Sequence, residues 1–142
     1  MAQIIQVMFD LSYRDLNNNE FRTAFDKLTR AKSIDIKVKH KIITLSKALR
    51  AEAQNLDDAR EALVNDAMEM DPETGLNKTD DEGNIVYKNG YNKKTMNDEF
   101  DKLLDTVANL AAPQVKLKDL EFALDRGELD MADIVALDPV II

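Results

Sequence analysis

Residues 35–70 contain neither proline nor glycine, and their apolar side chains return every three or four positions. Ile42, Leu45, Leu49, Ala53, Leu56, Leu63 and Ala67 fall on one stripe, the pattern of an amphipathic helix. At 1.5 Å per residue such a helix runs roughly 50 Å. In a chain of 142 residues that length constrains everything else, because the other segments must cover one long apolar stripe. A mainly helical fold follows.

Gln3 to Leu11 has the period of a strand, with Ile5, Val7, Phe9 and Leu11 on one face and Ile4 and Met8 on the other. A helix is expected over 17–32, with Asn17 as its cap, Glu20 three residues on, and Leu16 and Phe21 placed as a hydrophobic staple. Ser33-Ile34-Asp35 makes the corner into the long helix, 35–70, with Asp35 as its cap. Pro72 and Gly75 stop that helix. A hairpin insertion is expected over 73–92, with an acidic turn at Asp80-Asp81-Glu82-Gly83-Asn84 and a second turn at Asn89-Gly90. Thr95 is read as the cap of a helix over 95–111, with Phe100, Leu103, Leu104, Val107 and Leu110 on its apolar face.

A strand and a short helix are expected over 114–142. Val115 and Leu117 are read as a strand beside the N-terminal one. Leu120, Phe122 and Leu124 alternate, so a second strand competes there with a helical turn. Asp130 caps the short helix, with Leu129 and Ile134 as staple partners, and Pro139 ends it. The fold class read from this is mainly α with a small β component (α+β), in a single domain over 1–142. Its parts are a long helix packed antiparallel against two shorter helices, a β-hairpin at the tip, and a small sheet of N- and C-terminal strands.

Composition narrows the function. Cysteine is absent, which excludes disulfides, thiolate zinc sites and cysteine nucleophiles. Ile4 to Phe9 is apolar but too short to span a bilayer, and no basic region precedes it, so no signal peptide is expected. Ala2 stands where myristoylation needs glycine. His40 is the single histidine and lies among lysines, so helical di-iron chemistry is excluded and a surface role is expected. The four glycines form neither a P-loop nor a dinucleotide fingerprint. An EF-hand loop counted from Asn77 puts Glu82 where glycine is required. The carboxylate pairs Asp57 and Asp58, Asp98 and Glu99, and Asp101 and Asp105 suit solvated helix faces; two-metal chemistry would need several of them to converge. Tyr13, Tyr87 and Tyr91 are dispersed and tryptophan is absent, so no aromatic-basic surface for nucleic acid is expected. The chain is therefore read as a non-enzyme without cofactor or metal.

What remains is charge. The formal net charge is −8, but residues 27–50 hold eight bases and one acid. From Ala51 onward there are 22 acids and 9 bases. Such a layout suits docking on an oppositely charged partner or a second copy; the plainer alternative is two solvated faces. Lys37, Lys39 and Lys41 crowd the first turns of the long helix, where its dipole disfavours cations. Together with Lys47 they are the candidate partner-binding residues on this side. Val140, Ile141 and Ile142 are the others, three apolar residues at the chain end that need cover from the chain itself or a partner.

Three stretches carry a resemblance: Ala-Lys-Ser-Ile-Asp-Ile-Lys-Val-Lys-His-Lys-Ile from Ala31 to Ile42, Lys118-Asp119-Leu120-Glu121, and the closing run from Met131 to Ile141. With the acidic insertion between them, the chain resembles a family of small helical proteins of unknown function encoded by tailed bacteriophages and prophages. The resemblance implies a phage genome, near morphogenesis genes, and brings no catalytic residues. The function expected is that of a non-enzymatic phage structural or assembly protein, acting by contacts with other phage proteins or copies of itself. Its expected place is the host cytoplasm during infection, or the virion, with no membrane and no nucleic-acid partner. The alternative is an acidic anti-defence inhibitor that occupies a basic nucleic-acid site of a host protein, using acids between Asp57 and Glu82.

Overall fold

The computed structural model describes residues 7–142, so Gln3 to Gln6 of the expected strand lie outside the described residues. The elements are β1 (Phe9–Ser12), α1 (Tyr13–Leu16), α2 (Asn19–Arg30), α3 (Ile36–Ala67), α4 (Lys93–Leu104), β2 (Val107–Leu110), α5 (Glu121–Asp125) and α6 (Met131–Ala136). Short 3-10 turns stand at Leu117–Leu120 and Asp138–Val140. The fold is mainly helical with one small antiparallel sheet, the α+β class read from the sequence, and it contains the long helix. Its contacts fall into two compact units. One holds the chain up to Ala53 together with Thr106–Ile142, and the other holds Gln54–Asp105. The early part of α3 belongs to the first and its remainder to the second.

In the first unit α3 buries Val38, Ile42, Leu45 and Leu49, spaced by four, three and four residues. Against them pack Phe21, Ala24 and Leu28 of α2 and the inner face of the sheet. The sheet pairs Phe9 with Leu110 and Leu11 with Ala108, and all four are buried. Asp10 and Asn109 face outward, the Asn109 amide donating to the Asp10 carboxylate at 2.8 Å. The strand partner differs from the expected one. Residues 107–110 were assigned by helical spacing to the end of the 95–111 helix, but Ala108 and Leu110 fit a two-residue period equally well. The amide of Tyr13 donates to the Thr106 carbonyl at 2.9 Å, continuing the contact past the paired strands. Tertiary pairing decides between the two periods.

Other ends move by a few residues. Asn18, not Asn17, caps α2, its side chain accepting from the Phe21 amide at 3.1 Å. Leu16 and Phe21 are both buried, as the staple requires. Asn92, not Thr95, caps α4; Thr95 is the other half of a reciprocal capping box, with bonds of 2.8 and 2.9 Å. Val115 and Leu117 do not join the sheet. Val115 makes a single parallel bridge to Ile141, and Leu117 opens a 3-10 turn. Over Leu120 to Leu124 the helical turn wins, as α5. Asp130 caps α6 as read, with Leu129 and Ile134 buried beside it.

The second unit buries Leu56, Ala67, Met68 and Leu104, and the guanidinium of Arg60 lies 4.9 Å from the centre of the Phe100 ring. Its insertion is more folded back than a plain hairpin. Thr79 bridges Ile85 across the acidic turn, but Met68 also bridges Tyr87 and Met70 bridges Asn77. Each of the three short segments bonds to the other two. Gly83 closes the turn with a φ of +82°, a region open to glycine at little steric expense. The Asp80 carboxylate accepts from the amides of Glu82 and Asn84, both at 2.9 Å.

α2 packs most closely on α6, and one buried acid joins them. Asp133 is 7% exposed. Its carboxylate accepts from the Asp130 amide at 3.0 Å and from Lys27 Nζ at 3.2 and 3.3 Å. Burial pushes this carboxyl up, but the Asp130 amide and the Lys27 ammonium outweigh that and hold it below its usual value. Asp133→Ala removes the reciprocal half of the α6 capping box and the α2–α6 link together. The expected loss is about 1–2 kcal/mol in urea unfolding, whereas Lys27→Met, at a half-exposed position, loses less. A wild-type unfolding midpoint for Asp133→Ala removes this account of the α2–α6 contact.

Candidate functional site

α2 and α3 leave open surface along their shared flank. Thr29 of α2 and Ser46 of α3 stand in the middle of two adjoining hollows, of about 300 and about 280 Å³, which share Thr29, Ser46 and Arg50. Leu28, Ile42 and Ile43 line the first, with Lys39, Lys47 and Arg50 around them. Phe25, Leu49 and Ala53 line the second, with Arg22 and Asp26 on its border. The result is one groove along the α2–α3 flank, apolar inside and mostly basic at its edge.

The charges differ in how they are used. Arg22 donates through Nε to the Leu16 carbonyl at 2.9 Å, and Asp26 pairs with Arg30 at 3.2 Å. The side chains of Lys39, Lys47 and Arg50 make no hydrogen bond or ion pair among the described residues. Ile43, 51% exposed, stands between them. Three unpaired cations thus stand around exposed apolar surface, an arrangement complementary in charge to an anionic, partly apolar group.

Of the four lysines singled out in the sequence, Lys39 and Lys47 line the groove and Lys37 and Lys41 do not. At about 100° per residue, positions 39, 43, 47 and 50 share a flank of α3 that 37 and 41 leave. No acid lies in the first turn of α3; Asp35, just before it, accepts from the Lys37 amide at 2.8 Å. His40 is exposed, as expected. The chain-end residues separate too. Val140 is fully buried in the core and takes the Val115 amide on its carbonyl at 2.8 Å, so its side chain is not open to a partner. Ile141 packs against the same core, and only Ile142, 71% exposed, presents its side chain.

A further hollow of about 420 Å³ has Asp10, Asp15, Glu20 and Asp138 on its walls. Among the described residues no three carboxylates or histidines come close enough to hold a metal ion. No helix among them is long and apolar enough to cross a membrane.

The residue that sequence reasoning missed is Glu128. It follows α5, and its carboxylate reaches back to the corner between α2 and α3, accepting from the amides of Lys32 and Ser33, both at 2.8 Å. Arg126 adds a bond to the Ser33 hydroxyl at 3.3 Å. Glu128 thus ties down the corner between α2 and α3. Its partners lie about a hundred positions away, and no local pattern announces them. At the other side Tyr13 donates its hydroxyl to Glu52 of α3 at 3.0 Å, and burial, then Glu52, raises the phenol above its usual value.

No family model, no curated protein and no solved structure matches this chain.

The Lys32 amide, and then Ser33, hold the Glu128 carboxyl below its ordinary value of 4.5. A lowered folded value means that the stabilisation is complete above the unfolded value and is lost as the pH falls through the folded one. Glu128→Gln is therefore expected to unfold more easily than wild type at pH 7. The gap should narrow only below about pH 4.5, which thermal melts from pH 7 to pH 3 will read. A gap independent of pH excludes the carboxylate charge as its source.

Proposed function

We propose that this chain is a non-enzymatic structural or assembly protein of a tailed phage, and that it works by protein–protein contacts made through the α2–α3 groove. The observation that carries the reading is the groove itself, with Lys39, Lys47 and Arg50 unpaired around Leu28, Ile42 and Ile43. Apolar contact there supplies affinity, and the three cations select an acidic counterpart and speed its approach. Ile142, 71% exposed, is offered as a further contact residue. The resemblance to small phage proteins supplies the setting, in the host cytoplasm during infection or in the particle.

One observation favours a second reading. Residues 54–105 hold 14 acids and 6 bases, the whole of the net −8, while the rest of the chain balances at 13 and 13. A surface of that sign suits an anti-defence inhibitor that fills a basic nucleic-acid site of a host protein.

Mass spectrometry of washed particles and assembly intermediates separates the two. Under the assembly reading the chain is found in one or both, and a variant carrying Lys39→Glu, Lys47→Glu and Arg50→Glu is lost from them, with particle yield falling by roughly tenfold or more. Absence from both, with a host nuclease co-purifying instead, moves the function to the inhibitor.

A further inference from the structure

We infer that the occupant of the α2–α3 groove is the acidic insertion of a second copy of this chain, so that copies join head to tail. The inference rests on the groove's being the docking surface proposed above, and it names the partner.

The two surfaces match in chemistry. The groove has exposed apolar surface with three unpaired cations, Lys39, Lys47 and Arg50. The insertion presents Leu76, 69% exposed, with Met70 and Ile85 also exposed. Among the described residues the side chains of Glu73, Asp81 and Glu82 make no hydrogen bond or ion pair. The insertion therefore offers free anions at both of its turns together with exposed apolar side chains, opposite in sign to the three free cations around the apolar floor of the groove. The insertion is also ordered in advance. Its three segments are bonded to one another, and the Asp80 carboxylate holds its turn, so docking loses little chain entropy.

Charge sets the direction of the contact. The unit that bears the insertion carries −8 and the unit that bears the groove is neutral overall, with three unpaired cations, Lys39, Lys47 and Arg50, at the groove. Insertion on insertion is repelled, and groove on groove is repelled. Only groove on insertion is attractive, which makes the contact heterologous. A repeated heterologous contact closes into a ring or runs on as a filament, according to its rotation.

Sedimentation velocity on the full chain over a range of concentrations tests this. The wild-type chain is expected to associate as concentration rises, and association should weaken roughly tenfold or more between about 0.05 and about 0.5 M salt. A groove variant (Lys39→Glu, Lys47→Glu, Arg50→Glu) and an insertion variant (Glu73→Lys, Asp81→Lys, Glu82→Lys) should each stay monomeric while keeping the wild-type circular dichroism spectrum. Leu76→Ser, which changes no charge, should also weaken association. Mixing the two charge variants should restore it, because an intact groove then meets an intact insertion. A wild-type chain that stays monomeric at every concentration overturns the inference, as does a mixture that stays monomeric. If the groove variant is nevertheless lost from particles, the assembly reading stands and only the second copy falls as partner.

Discussion

Burial of one stripe of α3, Val38, Ile42, Leu45 and Leu49, is the interaction on which the first unit depends. Each such side chain contributes about 1.5–3 kcal/mol when taken from water. The elements around it are too short to persist alone. α2 has 12 residues, α5 five and α6 six, and the sheet has two strands of four. Isolated helices of that length are marginal in water, and a two-stranded sheet is little better. They hold because their buried side chains share one apolar core with the stripe. The groove is the remainder of the same arrangement. Where the α3 flank at Ile43 and Ser46 turns away from the stripe, the interval to α2 stays open beside Thr29.

Apolar burial is not directional, so the angles between elements need another source. Two carboxylates from the last part of the chain supply it. Asp133 ties α6 to α2, and Glu128 ties the segment after α5 to the corner between α2 and α3. Both accept backbone amides as well as meeting side chains, which fixes position more closely than an ion pair on flexible stems. The corner between α2 and α3 is thereby held by a residue that does not line the groove.

Much of the frame was legible in the sequence because it is local. The long helix followed from a stripe with no proline or glycine across it, and α6 from Asp130 and its staple. Caps slipped where the chain offers several equal choices: Asn17, Asn18 and Asn19 differ only in which amide each can reach. Val107 to Leu110 fits both periods, and only its pairing with Phe9 to Ser12 decides. The site was half legible. The basic run was visible, but composition does not say which flank of a helix a lysine takes, so Lys37 and Lys41 were grouped with Lys39 and Lys47. Glu128 was not legible at all, since its contact with Ser33 spans 95 positions.

The placement of charge then follows two different length scales. At the start of α3, Lys37 and Lys39 stand against the helix dipole at about 0.3–1 kcal/mol each, with only Asp35, just before the first turn, to offset them. Folding of the isolated chain gains nothing from that choice. Lys39 also stands beside apolar surface, where a neighbouring anion would be partly dried and its attraction less screened than on an open face. The net charge acts farther out, since the Debye length is about 8 Å at physiological salt. With all of the net −8 on Gln54–Asp105, an approaching cationic surface is drawn to that unit before any contact is made. The long-range field of the chain and the cations beside its apolar groove thus come from different parts of the sequence.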